Sequence, residues 1–133
     1  MSESWFDVSI VRRFLPGDAI SIVVFVVVGE LVHRGPPWEY PLAVSATAGT
    51  FLLGWALVSP LGGAYRSGNE SNAQSAIGLA LLSWLGADAI AQGLRATTLV
   101  HGNASISFFV VAGAFGGALL AGWRYVRVKL TAE

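Results

Sequence analysis

Apolar residues fill this chain in long runs, neither alternating with polar residues nor confined to one narrow helical stripe. A helix needs about 20 mostly apolar residues to cross roughly 30 Å of hydrocarbon. Residues 14–32, 41–59, 73–94 and 106–125 meet that length. Breakers separate them. Gly35-Pro36-Pro37 follows the first run, and Pro41 suits the first turn of a second helix, where a missing N–H is no loss. Pro60-Leu61-Gly62-Gly63 ends the second run. The connection from Leu61 to Asn72 is rich in Gly, Ser and Asn, and offers Ser71 or Asn72 as an N-cap for the third helix. His101-Gly102-Asn103 turns the chain into the fourth run. The pattern predicts an all-α bundle of four transmembrane helices, a single integral membrane domain over residues 1–133. The first run carries Asp18 and Glu30 and lacks a small-residue cleavage site, so a membrane helix is expected there and not a secretory signal. Just before it, Trp5, Phe6, Ile10 and Phe14 mix with Asp7, Arg12 and Arg13. That mixture fits either a short interfacial helix or an extension of the first span.

Composition narrows the class. Hydrophobic residues make up 54% of the 133 positions and charged residues 12%, with a mean hydropathy of +0.63. A soluble domain carries roughly 25% charged residues, so too little polar surface is left here to face water. The formal net charge is zero, which gives no footprint for nucleic acid. Cysteine is absent, which excludes disulfides, thiolate metal sites, iron–sulfur clusters and a cysteine nucleophile. The one lysine, Lys129, lies outside the apolar runs, so a membrane-embedded retinal Schiff base has no candidate. No cofactor is expected. The expected partners are the lipid bilayer and either further copies of the chain or another membrane protein.

Basic residues set orientation. Arg12, Arg13, Arg66, Arg124, Arg127 and Lys129 fall on one side of alternating helices, and only Arg34 and Arg95 fall opposite. Both termini are therefore expected in the cytoplasm of a multi-pass protein of the cell membrane. Trp38 and Tyr40 suit the outer interface, and Trp5, Trp123 and Tyr125 the inner one. A weak internal echo pairs Leu31-Val32-His33 with Leu99-Val100-His101, and Gly54-Trp55 with Gly122-Trp123, as a duplicated two-helix hairpin would.

Polar residues inside apolar runs are the candidates for chemistry, because a carboxylate in hydrocarbon costs about 2.5–3.5 kcal/mol on insertion scales. Asp88 interrupts the third run, and Trp84, Asp88, Gln92 and Arg95 share one helical face. Glu30, His33 and Arg34 share a face near the outer end of the first helix. Two uses are open for this cluster: a proton- or ion-linked site in the outer half, or a buried pair of Glu30 or Asp88 with Arg95 that locks the first helix to the third. Asp18 follows Pro16-Gly17 and is expected as an N-cap. His33 and His101 lie at equivalent outer ends and are counted with Glu30, Asp88, Gln92 and Arg95 in the candidate polar site, whereas two histidines without further ligands are a weak signal for a metal or haem. Gly113, Gly117 and Ala121 form a small-residue stripe on the fourth helix, and Ala46, Thr50 and Gly54 another on the second. Such stripes let backbones approach where lipid supplies no hydrophobic drive to pack. Asn69-Glu70-Ser71 and Asn103-Ala104-Ser105 match the glycosylation pattern, but neither is expected to be used.

Longer strings carry a resemblance. Gly29-Glu30 followed by His33, the run Phe51-Leu52-Leu53-Gly54-Trp55, and Leu94-Arg95-Ala96-Thr97 with His101-Gly102 resemble an uncharacterised prokaryotic family of small four-helix integral membrane proteins. Gly116-Gly117-Ala118-Leu119-Leu120 and Trp123-Arg124 are similar to it too, so the resemblance runs from Arg13 to Arg124. It implies a membrane protein with a domain of unknown function, and it supplies no activity.

The expected function is that of a small membrane transporter or channel-like protein using Glu30, Asp88 and Arg95. The alternative is a non-enzymatic accessory or structural membrane subunit, or a lipid-binding protein. No nucleophile–base set, phosphate-binding glycine loop or metalloprotease motif is recognisable, so an enzyme is not expected.

Overall fold

In hydrocarbon a backbone must satisfy its own hydrogen bonds, and helices do so within one segment. A computed structural model of the chain describes residues 4–33, 35–97 and 106–131. It contains four long helices, α1 (Val8–His33), α2 (Pro41–Val58), α3 (Ala73–Arg95) and α4 (Ile106–Thr131). All four are long and apolar enough to cross a membrane.

The segment ahead of the first run is an extension of α1 and not a separate interfacial helix. Asp7 starts it. Its carboxylate accepts the Ser9 amide at 2.9 Å, and its carbonyl accepts the amides of Ile10 and Val11 at 3.0 Å each. Pro16 lies within α1, where it lacks the N–H that would bond back along the helix. Asp18 is consequently deep inside a helix, and the expectation that it is an N-cap is wrong; Asp7 does that work. At the other terminus α4 runs on through Arg124, Arg127 and Lys129. Asn72 caps α3 by accepting the Ser75 amide at 3.1 Å.

Consecutive helices pack against one another, and α4 returns to α1, so the four form a closed ring. Short connections make neighbours antiparallel. One end of the bundle therefore carries both termini and the α2–α3 connection, and is called the terminal end below. The far end carries the α1–α2 and α3–α4 connections. Two glycines set how closely the helices approach. A β-carbon at Gly54 would sit 2.7 Å from the Ala87 carbonyl oxygen, so α2 meets α3 backbone to backbone. A β-carbon at Gly116 would overlap the Trp84 ring, so α4 closes over that indole.

Between the two ends lies a layer of rings. Phe25, Phe51 and Trp84 are buried and mutually in contact, with centroids 5.1, 5.6 and 5.4 Å apart. Phe115 and Phe108 extend the layer from α4. Trp84 Nε1 donates to the Ala112 carbonyl at 3.0 Å, so the indole keeps its one polar atom satisfied.

Candidate functional site

Two polar centres flank the aromatic layer. Asp18 and Glu30 mark them on α1, about 18 Å apart along the axis at 1.5 Å per residue. Their chemistry differs.

The terminal-end centre is a closed lock. Asp18 and Arg124 are fully buried and paired through two parallel bonds, Nε to Oδ1 at 3.0 Å and Nη2 to Oδ2 at 2.6 Å. Trp123 Nε1 donates to Oδ1 at 3.1 Å, and the Tyr65 hydroxyl donates to Oδ2 at 2.7 Å. Each carboxylate oxygen thus accepts two bonds, which fills its lone pairs. Arg124 Nη1 donates to the carbonyls of Ala64 and Ala76 at 2.9 Å each, tying α4 to the α2–α3 connection and to the first turn of α3. Trp55 Nε1 donates to the Tyr65 oxygen at 2.8 Å, bringing in α2. The guanidinium also stacks over the Phe14 ring at 4.5 Å. Burial, followed by the charge of Asp18, raises the Tyr65 hydroxyl above its ordinary pKa, so it remains a donor. Among the described residues, every side-chain nitrogen and oxygen of this network has a hydrogen-bond partner.

The α2–α3 connection is folded down onto the lock. Asn69 is fully buried, and its amide donates to the carbonyls of Gly63 and Ala64 at 3.1 and 3.0 Å. Gly63 and Gly68 adopt φ of +79° and +98°, which favours glycine at both turns. Ser67 bonds to Ser4 and Asp7, and Trp5 Nε1 donates to the Leu61 carbonyl, so the N-terminal strap covers this loop.

The far-end centre is hollow. A cavity of about 320 Å3 is lined by Phe25, Val26, Gly29, Glu30 and His33 of α1, Thr47 of α2, Arg95 of α3 and Phe108 of α4. The α1 residues from Val26 onward recur at i, i+3, i+4 and i+7, one helical face. Glu30 is buried, and the Thr47 hydroxyl donates to its Oε1 at 3.1 Å. The Arg95 guanidinium lies 4.8 Å from the Phe108 ring centroid. His33 is exposed at the rim. Phe25 belongs to the aromatic layer, which floors the cavity.

Of the residues singled out from sequence, Glu30, His33 and Arg95 line this cavity. Asp88 and Gln92 are buried beside each other, with Gln92 Nε2 donating to Asp88 Oδ1 at 3.3 Å, but neither lines the cavity. Asp88 Oδ2 has no hydrogen-bond partner among the described residues, and a β-carbon at Gly113 would lie 3.5 Å from it. His101 and Arg34 lie outside the described residues, as does the second glycosylation pattern. The stripe on α4 meets α3: β-carbons at Gly113 and Gly117 would touch Leu85 and Leu81, and Ala121 is half-buried. Among the described residues no three His, Asp or Glu side chains gather as metal ligands.

Sequence reasoning missed Thr47, Phe25 and Phe108 in the cavity and the whole Asp18–Arg124 network. In the sequence Arg124 counts only as one of the basic residues that set topology. A usable signal existed: Asp18, Trp55, Tyr65 and Trp123 each carry a polar atom that must be satisfied if the apolar runs are buried.

This architecture, four apolar helices ringed around one sealed and one hollow polar centre, defines a small helical membrane protein. The chain belongs to the DUF3054 family, a family of proteins of unknown function, whose pattern matches residues 15–127. No curated protein and no solved structure matches the chain.

Proposed function

We propose that this protein is a non-enzymatic membrane carrier that takes up a small polar solute in the far-end cavity. The observation that carries this reading is the convergence of side chains from all four helices, among them Glu30, Thr47 and Arg95, on one hollow of about 320 Å3. Packing alone has no use for such a hollow, because interiors are otherwise close-packed. With Arg124 buried in the lock, the residues left to set topology are Arg12, Arg13, Arg66, Arg127 and Lys129 against Arg34 and Arg95. The excess still favours a cytoplasmic terminal end and a cavity facing outward. In a carrier the aromatic layer is the inner gate, and Asp88, buried two turns or about 10 Å before Arg95 on α3, is the coupling group for a proton or ion. The small-residue stripe of α4 is taken up by α3, which weakens the alternative of a subunit docked through that stripe.

Gly29 lines the cavity and has no atom within 4 Å of the place a β-carbon would occupy. Gly29→Leu should therefore fill the cavity and leave the bundle intact. In proteoliposomes, the wild type should pass at least one labelled small amine, organic acid or amino acid faster than protein-free liposomes do, and Gly29→Leu should abolish the difference. Equal flux through both proteins, or none above the liposome background for any solute, would overturn the reading.

A further inference from the structure

We infer that Asp88 and Gln92 form a proton-binding site, in which Asp88 is held as a neutral carboxylic acid paired with the Gln92 carboxamide. Two aspartates of this chain differ in a telling way. Asp18 and Asp88 are both fully buried on helices long and apolar enough to cross a membrane. Asp18 faces a guanidinium and accepts four bonds on its two oxygens, the longest 3.1 Å. Asp88 makes no ion pair with any described residue. Its side chain accepts one bond there, from Gln92 Nε2 to Oδ1 at 3.3 Å. Charge-assisted bonds run short, about 2.7–2.9 Å, and the Gln92 contact is not of that kind. An unpaired carboxylate in hydrocarbon is costly, and such a group takes up a proton in place of staying charged.

Hydrogen-bond counting places the proton. Asp88 Oδ2 and Gln92 Oε1 are both buried, and both lack a partner among the described residues. With Asp88 ionised both are acceptors, so neither can satisfy the other. A proton on Oδ2 makes that oxygen a donor. The idle acceptor, Gln92 Oε1, belongs to the side chain already bonded to the other carboxyl oxygen. A carboxylic acid and a carboxamide are complementary in this way, since each offers one donor and one acceptor. Asp88 and Gln92 stand four residues apart on one face of α3, the spacing at which helical side chains meet. Release of the proton leaves its bonding electrons on Oδ2 and breaks the bond to Oε1, while the Nε2 bond remains.

The surroundings offer no other way to neutralise Asp88. Within about one turn of it, α3 meets Phe25 of α1, Phe51 and Gly54 of α2 and Gly113 of α4, none of which titrates. Trp84 Nε1 is taken by the Ala112 carbonyl. The charged groups nearer the far end are engaged there. Glu30 accepts the Thr47 hydroxyl, and the Arg95 guanidinium lies over Phe108, five residues or about 7.5 Å along α4 from Gly113. A hard metal cation gathers about six or more oxygens. Here two are idle, and among the described residues no three His, Asp or Glu side chains gather as ligands. A proton needs one oxygen and one acceptor. Its use as the coupling proton rests on the carrier reading above; its presence on Asp88 does not.

The test is infrared difference spectroscopy of purified full-length protein in liposomes at neutral pH, wild type against Asp88→Asn. The carbonyl stretch of a carboxylic acid lies apart from the carboxylate bands and shifts in deuterium oxide. The wild type should show such a band that Asp88→Asn loses. In Gln92→Met the band should remain and move to higher frequency, because the acid carbonyl loses its donor. If Asp88→Asn fails to fold, an isotopic carbon label in the side-chain carboxyls of the three aspartates assigns the band in the wild type. Asp18 is paired with Arg124, and bonds from Ser67 and then Ser9 hold Asp7 below the usual carboxylate range, so neither contributes. A carboxylate band in place of the acid band, or an acid band that sodium removes, would overturn the proton site. A band unmoved in Gln92→Met would overturn the pairing. For coupling, a pH gradient should drive solute flux through the wild type and not through Asp88→Asn. Equal pH dependence in both would overturn the coupling role alone, and absence of all flux would overturn it together with the carrier reading, while the infrared result still judges the proton site.

Discussion

Arg124→Leu is the perturbation that tests the physical account of the bundle most severely. The guanidinium is fully buried and donates four hydrogen bonds, two to Asp18 and one each to the carbonyls of Ala64 and Ala76. Leucine removes them together. Asp18 keeps its bonds from Trp123 and Tyr65 but becomes a buried charge without a counter-ion. Breaking a buried pair from one side costs about 3–5 kcal/mol. The two orphaned carbonyls would add about 1–3 kcal/mol each if water could not reach them. These terms share one network and are not additive, so the expected loss is about 4 kcal/mol. Set against a total stability of about 5–15 kcal/mol, that is roughly a quarter to four-fifths of the whole. Reversible unfolding in mixed micelles, followed by circular dichroism, measures it. Adding Asp18→Asn removes the orphaned charge and should restore about 2 kcal/mol of the loss. Arg124→Lys should rescue little, because an ammonium cannot reproduce the planar fork that spans Asp18 and two carbonyls. A loss under about 1 kcal/mol for Arg124→Leu, or strictly additive effects in the double variant, would refute the claim that this network holds the terminal end together.

Other outcomes follow from the same geometry. Gly116→Ala should lower the unfolding temperature sharply because its β-carbon overlaps the Trp84 ring, whereas Gly93→Ala and Gly122→Ala, with nothing within 4 Å, should leave it unchanged or raise it by relieving up to about 1 kcal/mol of glycine's helix cost; equal melting of all three would remove the close-packing argument for α4. Tyr65 has a folded pKa above its reference value of 10.0, so its contribution is complete below about pH 10 and declines as pH rises further. Alkaline titration of stability should therefore be shallower for Tyr65→Phe than for the wild type above that pH, and parallel curves would contradict it. Cysteines introduced at Ser2 and Ala132 should resist an impermeant thiol reagent in intact cells while one at Pro37 reacts; the reverse labelling would invert the proposed orientation.

The helices themselves were decided by sequence alone. Runs of apolar residues long enough to span hydrocarbon leave the backbone one way to satisfy itself, and Pro, Gly and Asn punctuate the runs where the chain must turn. The predicted boundaries for α2 and α3 lie within a residue of the observed Pro41–Val58 and Ala73–Arg95. The outer termini of α1 and α4 were less legible, because capping by Asp7 and packing of the segment around Arg124 carry those helices past the end of the apolar pattern. Which polar residues meet was beyond the sequence. Asp18 and Arg124 are more than a hundred positions apart in the chain and 2.6 Å apart at their nearest, Nη2 to Oδ2. Only closure of α4 onto α1 brings them together, and only the folded α2–α3 connection supplies Tyr65 and the Ala64 carbonyl. Local periodicity places Asp88 and Arg95 on one face of α3, yet packing sends Arg95 to the cavity and leaves Asp88 with Gln92, because the ring of neighbours around α3 changes along its length. Residue type told where charge is costly; the tertiary arrangement decided which charges are sealed and which line a hollow.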